Sequence, residues 1–110
     1  MKLITKEIEK QIPALYSQDG KEMADVICYA KLFDPYGQSF WFLTEYDPNE
    51  RLAFGWACLG GDTDNAEFGY VSIAELEKIQ FMGKPRIERD KYFRPCPLGK
   101  AVKERLDVVI

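Results

Sequence analysis

The sequence contains no histidine. That removes the commonest general base and the commonest metal ligand in one stroke. Cysteine is sparse as well. Cys28, Cys58 and Cys96 lie far apart and form no C-x-x-C pair, so neither a zinc knuckle nor a redox motif is suggested. Cys28 and Cys58 fall in apolar runs and read as small buried hydrophobes. No stretch approaches the apolar length of a membrane span. The opening Met1-Lys2-Leu3-Ile4-Thr5-Lys6-Glu7 turns charged at once and has no signal-peptide core, which gives a cytoplasmic expectation. Repeats, low-complexity tracts and linkers are missing too.

What is present is aromatic. Phe, Trp and Tyr make up 14% of 110 residues, and 46% of the chain is hydrophobic. That suits one packed domain over 1–110, expected as a monomer, and argues against disorder. Both tryptophans and four other aromatics lie between Phe40 and Leu59. Two aromatic and branched runs flank a polar Asp47-Pro48-Asn49-Glu50 turn there, which is a hairpin pattern.

Thr5 is placed to cap a short helix from Lys6 to about Gln11, with Pro13 ending it. A strand is expected over Asp25–Phe33. Asp34-Pro35-Tyr36-Gly37 then has type I turn chemistry. Strands follow over Ser39–Tyr46 and Arg51–Leu59. Two successive Asp-Pro turns predict an antiparallel meander. In the third strand Leu52, Phe54, Trp56 and Cys58 point one way, and Ala53, Gly55 and Ala57 the other. The large face fills a core, and the small face lets another element approach closely, a helix being the commoner occupant and a ligand the alternative. Phe68–Val71 is a fourth strand. Ser72-Ile73-Ala74-Glu75 is a capping box opening a helix from Ile73 to about Gln80, with Ile73, Leu76 and Ile79 toward the sheet. Arg86–Phe93 alternates charged and apolar residues as a last strand or extended edge. Leu98 to about Leu106 reads as a terminal helix. The fold class is α+β: a central antiparallel sheet of four to five strands with short helices packed on it.

No catalytic constellation emerges. Glu45 with Asp47, or Glu88 with Asp90, would share a strand face, but proximity is cheap among 18 acidic residues. Asp62 and Asp64 resemble the start of a calcium loop, yet Ala66 and Glu67 break the pattern. Gly60-Gly61 is followed by no Gly-Lys-Ser/Thr. Cys96 sits among Arg94 and Lys100, but no histidine is there to activate it. No enzyme activity, metal or cofactor is expected.

Charge is the more telling feature. Residues 1–83 carry 7 basic and 14 acidic side chains; residues 84–110 carry 8 and 4. Two candidate contact surfaces follow. Glu45, Asp47, Glu50, Asp62 and Asp64, with Glu67, are expected to cluster at one hairpin end and the next loop. There they would imitate nucleic-acid phosphates. Arg86, Arg89, Lys91 and Arg94, with Tyr92 and Phe93, form a basic aromatic tail of the kind that binds nucleic acid. The competing role for Arg89 is a structural ion pair with Glu45 or Asp47.

The order of several motifs resembles a known family. Thr44-Glu45-Tyr46-Asp47-Pro48, Phe54-Gly55, Phe68-Gly69-Tyr70-Val71-Ser72-Ile73-Ala74-Glu75-Leu76 and Ile87-Glu88-Arg89-Asp90-Lys91-Tyr92-Phe93-Arg94-Pro95 are similar to a small bacterial family. That family is catalogued as domain of unknown function 2958. Leu3-Ile4-Thr5-Lys6-Glu7-Ile8 and Pro13-Ala14-Leu15-Tyr16 resemble its N-terminus. The resemblance implies cargo of plasmids, phages and conjugative elements, some similar proteins being anti-CRISPR inhibitors of type II nucleases. It carries no catalytic residues. The expected partner is then a type II CRISPR effector nuclease or its guide RNA complex. The alternative is a nucleic-acid-binding accessory protein of plasmids or conjugative elements, and no membrane partner is expected.

Overall fold

The computed structural model describes residues 2–109, with side chains described through residue 104. Its centre is a five-stranded antiparallel sheet. β2 (Ala30–Phe33), β3 (Phe40–Asp47), β4 (Leu52–Cys58) and β5 (Glu67–Ser72) form the expected meander. β8 (Glu88–Arg89) joins the free edge of β2, giving the order β5-β4-β3-β2-β8.

α1 (Lys6–Gln11) is capped as expected, the Thr5 hydroxyl accepting from the Ile8 amide at 3.2 Å. α2 (Ile73–Lys78) starts at Ser72, whose hydroxyl accepts from the Glu75 amide at 3.2 Å. It ends two residues before the expected Gln80. Ile79, expected on the sheet side, is 41% exposed. The chain turns there into a tight hairpin of β6 (Gln80–Phe81) and β7 (Lys84–Pro85). Met82 and Gly83 supply the two positive-φ positions that such a turn requires.

The expected strand over Asp25–Phe33 is broken. Residues Met23–Asp25 form a 3-10 turn, and β1 (Ile27–Cys28) leaves the main sheet to pair with β9 (Cys96–Pro97). This two-stranded ribbon fixes the start of α3 (Leu98–Val109), whose first amide donates to the Val26 carbonyl at 2.7 Å. Of the expected last strand, only Glu88–Arg89 pairs.

Each face of the sheet carries its own core. One joins Ala53, Trp41, Leu43, Tyr46 and Leu32 to Leu3, Ile4, Ile12 and Ile73. The small side chains of β4 thus receive the N-terminal segment and α2. The other joins Phe40, Phe42, Trp56 and Cys58 to Leu98 and Ala101 of α3. Gly55 is obligatory in this arrangement. A Cβ there would run into the Phe42 carbonyl oxygen and meet Leu43 Cα at 3.0 Å.

A bulge divides β3. Leu43 pairs with Gly55 but Glu45 pairs with Phe54, leaving Thr44 as the extra residue. Before the bulge, Trp41 and Leu43 face the first core. After it, Tyr46 faces that core and Glu45 is turned to the opposite side, with Phe54.

Candidate functional site

The bulge decides the fate of the first predicted site residue. Glu45 is 4% exposed and is no surface contact, which corrects the expectation. Its Oε1 accepts from the Tyr16 amide and its Oε2 from the Gln18 amide, both at 2.8 Å. Gln18 is buried with it. Its side chain donates to the carbonyls of Ile27 and Thr44 and accepts from the Ile27 amide at 2.7 Å. A carboxylate in this position earns its burial by satisfying two backbone donors of the loop that covers it.

The remaining acidic residues do not form one cluster. Asp47 closes β3 and Glu50 lies in the turn that follows, where Asp47 Oδ1 accepts from the Asn49 amide at 3.0 Å. Asp62 and Asp64 follow the other end of β4, in an exposed loop where Asp62 Oδ2 accepts from Asn65 Nδ2 at 2.6 Å. Seven strand residues separate the two groups, about 20 Å.

Between those two acidic ends lies a surface the sequence reading missed. Phe54 of β4 and Phe68 of β5 stack with ring planes 3° apart and centroids 5.6 Å apart. Tyr70 stands edge-on to Phe54 at 5.3 Å. The Tyr70 hydroxyl meets that of Tyr16 at 2.7 Å. α3 covers this side of the sheet over Phe42, Trp56 and Cys58. The aromatic row at the β4–β5 edge stays open, with Tyr70 54% and Tyr16 62% exposed. The Tyr16 hydrogen bond pushes the Tyr70 hydroxyl above its ordinary pKa, and the nearby Asp19 and Glu45 add to the effect. The Phe68–Tyr70 alternation, paired in register with Phe54–Trp56, is the signal that would have exposed this row. Tyr16 carries no local signal; it arrives through the loop over Glu45.

The basic tail also divides. Arg86 Nε donates to both carboxylate oxygens of Asp34, at 2.9 and 3.0 Å, and its guanidinium lies 5.4 Å from the Phe81 ring centre. The Arg86 hydrogen bond holds the Asp34 carboxyl below its ordinary pKa. Arg89 makes neither of the ion pairs weighed for it. Its Nη1 donates instead to the carbonyls of Lys2, at 2.6 Å, and Leu3. These two arginines are structural fasteners of a turn and of the N-terminal segment. Lys91 and Arg94 remain exposed. They sit on a strap, 90–95, that walls a cleft of about 720 Å³ and a smaller groove of about 390 Å³. The cleft brings Arg94 and Lys100, the basic neighbours of Cys96 in sequence, together with Lys31, which the sequence did not connect to them.

Two thiols the sequence kept apart are direct cross-strand partners: Cys28 on β1 faces Cys96 on β9. Burial, with a smaller contribution from Cys96, pushes the Cys28 thiol up to about 12. Burial also raises Cys96. Both thiols are therefore protonated at neutral pH, the unreactive form. Among the described residues, no group of three or more His, Cys, Asp or Glu side chains is close enough to hold a metal ion. Among the same residues, no helix is long and apolar enough to cross a membrane.

Fold and surfaces together define a small α+β domain, a four-stranded meander with a fifth edge strand and a different core on each face. Its family follows from comparison. A family model described as a protein of unknown function, DUF2958, matches residues 3–102, and the chain belongs to that family. No curated protein and no solved structure matches the chain.

Proposed function

We propose that the protein is a non-enzymatic inhibitor carried by a mobile genetic element. Its target is a type II CRISPR effector nuclease or the guide RNA complex of that nuclease, and it blocks DNA recognition or cleavage. The observation that carries this reading is the open aromatic row between two acidic ends. A groove that holds nucleic acid presents cations for phosphates and flat surfaces for bases. Asp47 and Glu50 at one end, and Asp62 and Asp64 at the other, offer negative charge about 20 Å apart. The parallel rings of Phe54 and Phe68, with Tyr70 and Tyr16, offer the flat surface between them. Tyrosine-rich patches of this kind also supply contact area at low entropic cost. The choice of nuclease rests on the motif resemblance.

The test is DNA cleavage by a guide-loaded type II nuclease against rising amounts of the protein, added before or after the guide. Dose-dependent loss of cleavage is expected. Inhibition only on addition before the guide assigns the block to assembly; inhibition in either order assigns it to the loaded complex. Undiminished cleavage across several type II nucleases at excess protein overturns the reading.

A further inference from the structure

The other side of α3 holds a surface of different chemistry. The strap 90–95 leaves β8 and returns into β9 as a tight turn organised by Asp90. The Asp90 amide donates to the Lys31 carbonyl at 2.9 Å, and its Oδ1 accepts from the Tyr92 amide at 2.9 Å. Its carbonyl accepts from the Phe93 amide at 3.3 Å. The turn splits the two rings. Phe93 goes inward to lie 5.8 Å from Phe42, and Tyr92 goes outward, 89% exposed, between Lys91 and Arg94.

Behind the strap lies the cleft of about 720 Å³, within the size range of sites for nucleotide-sized ligands. Phe33, Phe42 and Phe93 contribute its rings; Lys31, Arg94 and Lys100 contribute its cations. Two of its three carboxylates are already engaged. Asp34 holds Arg86, and Asp90 holds the Tyr92 amide with Lys31 Nζ at 4.0 Å. The third, Glu104, meets Lys100 at 3.9 Å in a pair whose side chains are 64% and 65% exposed, which water screens. Among the described residues Arg94 has no hydrogen-bond or ion-pair partner.

We infer that the strap and this cleft bind single-stranded nucleic acid. An unpaired base stacks on Tyr92, and Arg94 with Lys100 takes the adjoining phosphates. An open ring flanked by cations is the device by which proteins hold unpaired strands. A duplex keeps its base faces stacked on one another and offers nothing to Tyr92. The inference is independent of the inhibitor reading, because it uses the β8 side of the sheet and needs no nuclease.

The test is fluorescence anisotropy of labelled oligo(dT) and oligo(U), each about 12 nucleotides long, with a duplex and a mononucleotide as comparators. Single strands bind in low salt, and affinity falls as salt rises. The double variant Arg94→Glu with Lys100→Glu weakens binding at least ~10-fold, and Tyr92→Ala weakens it roughly 5-fold or more. Lys78→Glu, on α2 and away from the cleft, leaves it unchanged. Circular dichroism confirms that each variant is folded. The inference is overturned if the wild type fails to bind single strands in low salt. It is equally overturned by a preference for the duplex or the mononucleotide, or by equal loss in Lys78→Glu.

Discussion

The amide of Gln18 donates to the Glu45 carboxylate at 2.8 Å across 27 residues of sequence, and both side chains are buried. Glu45 therefore holds the 14–19 loop against the sheet, and with it Tyr16 at the end of the aromatic row. Glu45→Ala leaves two amides without an acceptor and is expected to cost about 2–4 kcal/mol. Amide exchange at Tyr16 and Gln18 should accelerate ahead of the strands. Protection unchanged at those two amides would contradict the role.

Gly55 and Gly69 are register partners on β4 and β5 and respond oppositely to the same change. Gly55→Ala drives a Cβ into the β3 backbone and should prevent stable folding. A Cβ at Gly69 meets nothing within 4 Å, so Gly69→Ala should leave the thermal midpoint within a few degrees of wild type, about 0.5 kcal/mol. Thermal unfolding of the pair decides it; equal damage at both sites would contradict the register.

Glu77 ties the N-terminal segment to the β3–β4 turn. Its Oε2 accepts from the Leu3 amide at 2.9 Å, and its Oε1 from Arg51 Nη2 at 2.7 Å. Burial pushes its pKa up, but the Leu3 and Arg51 hydrogen bonds outweigh that and hold it below its ordinary value. Its contribution is therefore complete above the ordinary carboxyl range and lost as pH falls through the depressed value. Glu77→Gln should cost about 1–3 kcal/mol at neutral pH, and the two stability curves should converge on acidification. Denaturant titrations over acidic pH check this.

Cys28 makes the opposite prediction. Its folded thiol is raised from 9.0 to about 12, so the folded state retains a proton that the unfolded chain loses. Stability should fall as pH rises above about 9, where the unfolded thiol ionises and the folded one does not. Cys28→Ala should flatten that alkaline slope, whatever its effect at neutral pH. Unfolding midpoints near pH 8 and pH 10 under reducing conditions measure it. An unchanged slope in the variant would contradict the assignment.

The local signals in the sequence were good guides to local structure. Thr5 and Ser72 announce their helices, and the two Asp-Pro turns announce the meander, because caps and turns act within four residues. What lay beyond reach depended on long-range pairing. Thr44 forms the bulge only because β4 is beside it, and that one residue sends Glu45 to the opposite face and into burial. The same holds for Arg86 and Arg89, whose partners Asp34 and Lys2 lie 52 and 87 residues away. The acidic cluster failed for a geometric reason: a hairpin end and the loop after its second strand lie at opposite ends of that strand. The aromatic row was hidden because its members come from three separate segments.

The most direct test of the inhibitor account is the affinity of the protein for the guide-loaded type II nuclease, measured for the wild type and two sets of face variants. The account predicts tight wild-type binding. It predicts loss of about 10-fold or more in Tyr70→Ala, and again in the double variant Asp62→Lys with Asp64→Lys, each folded as the wild type. No wild-type binding, or binding that both variants retain in full, would contradict it.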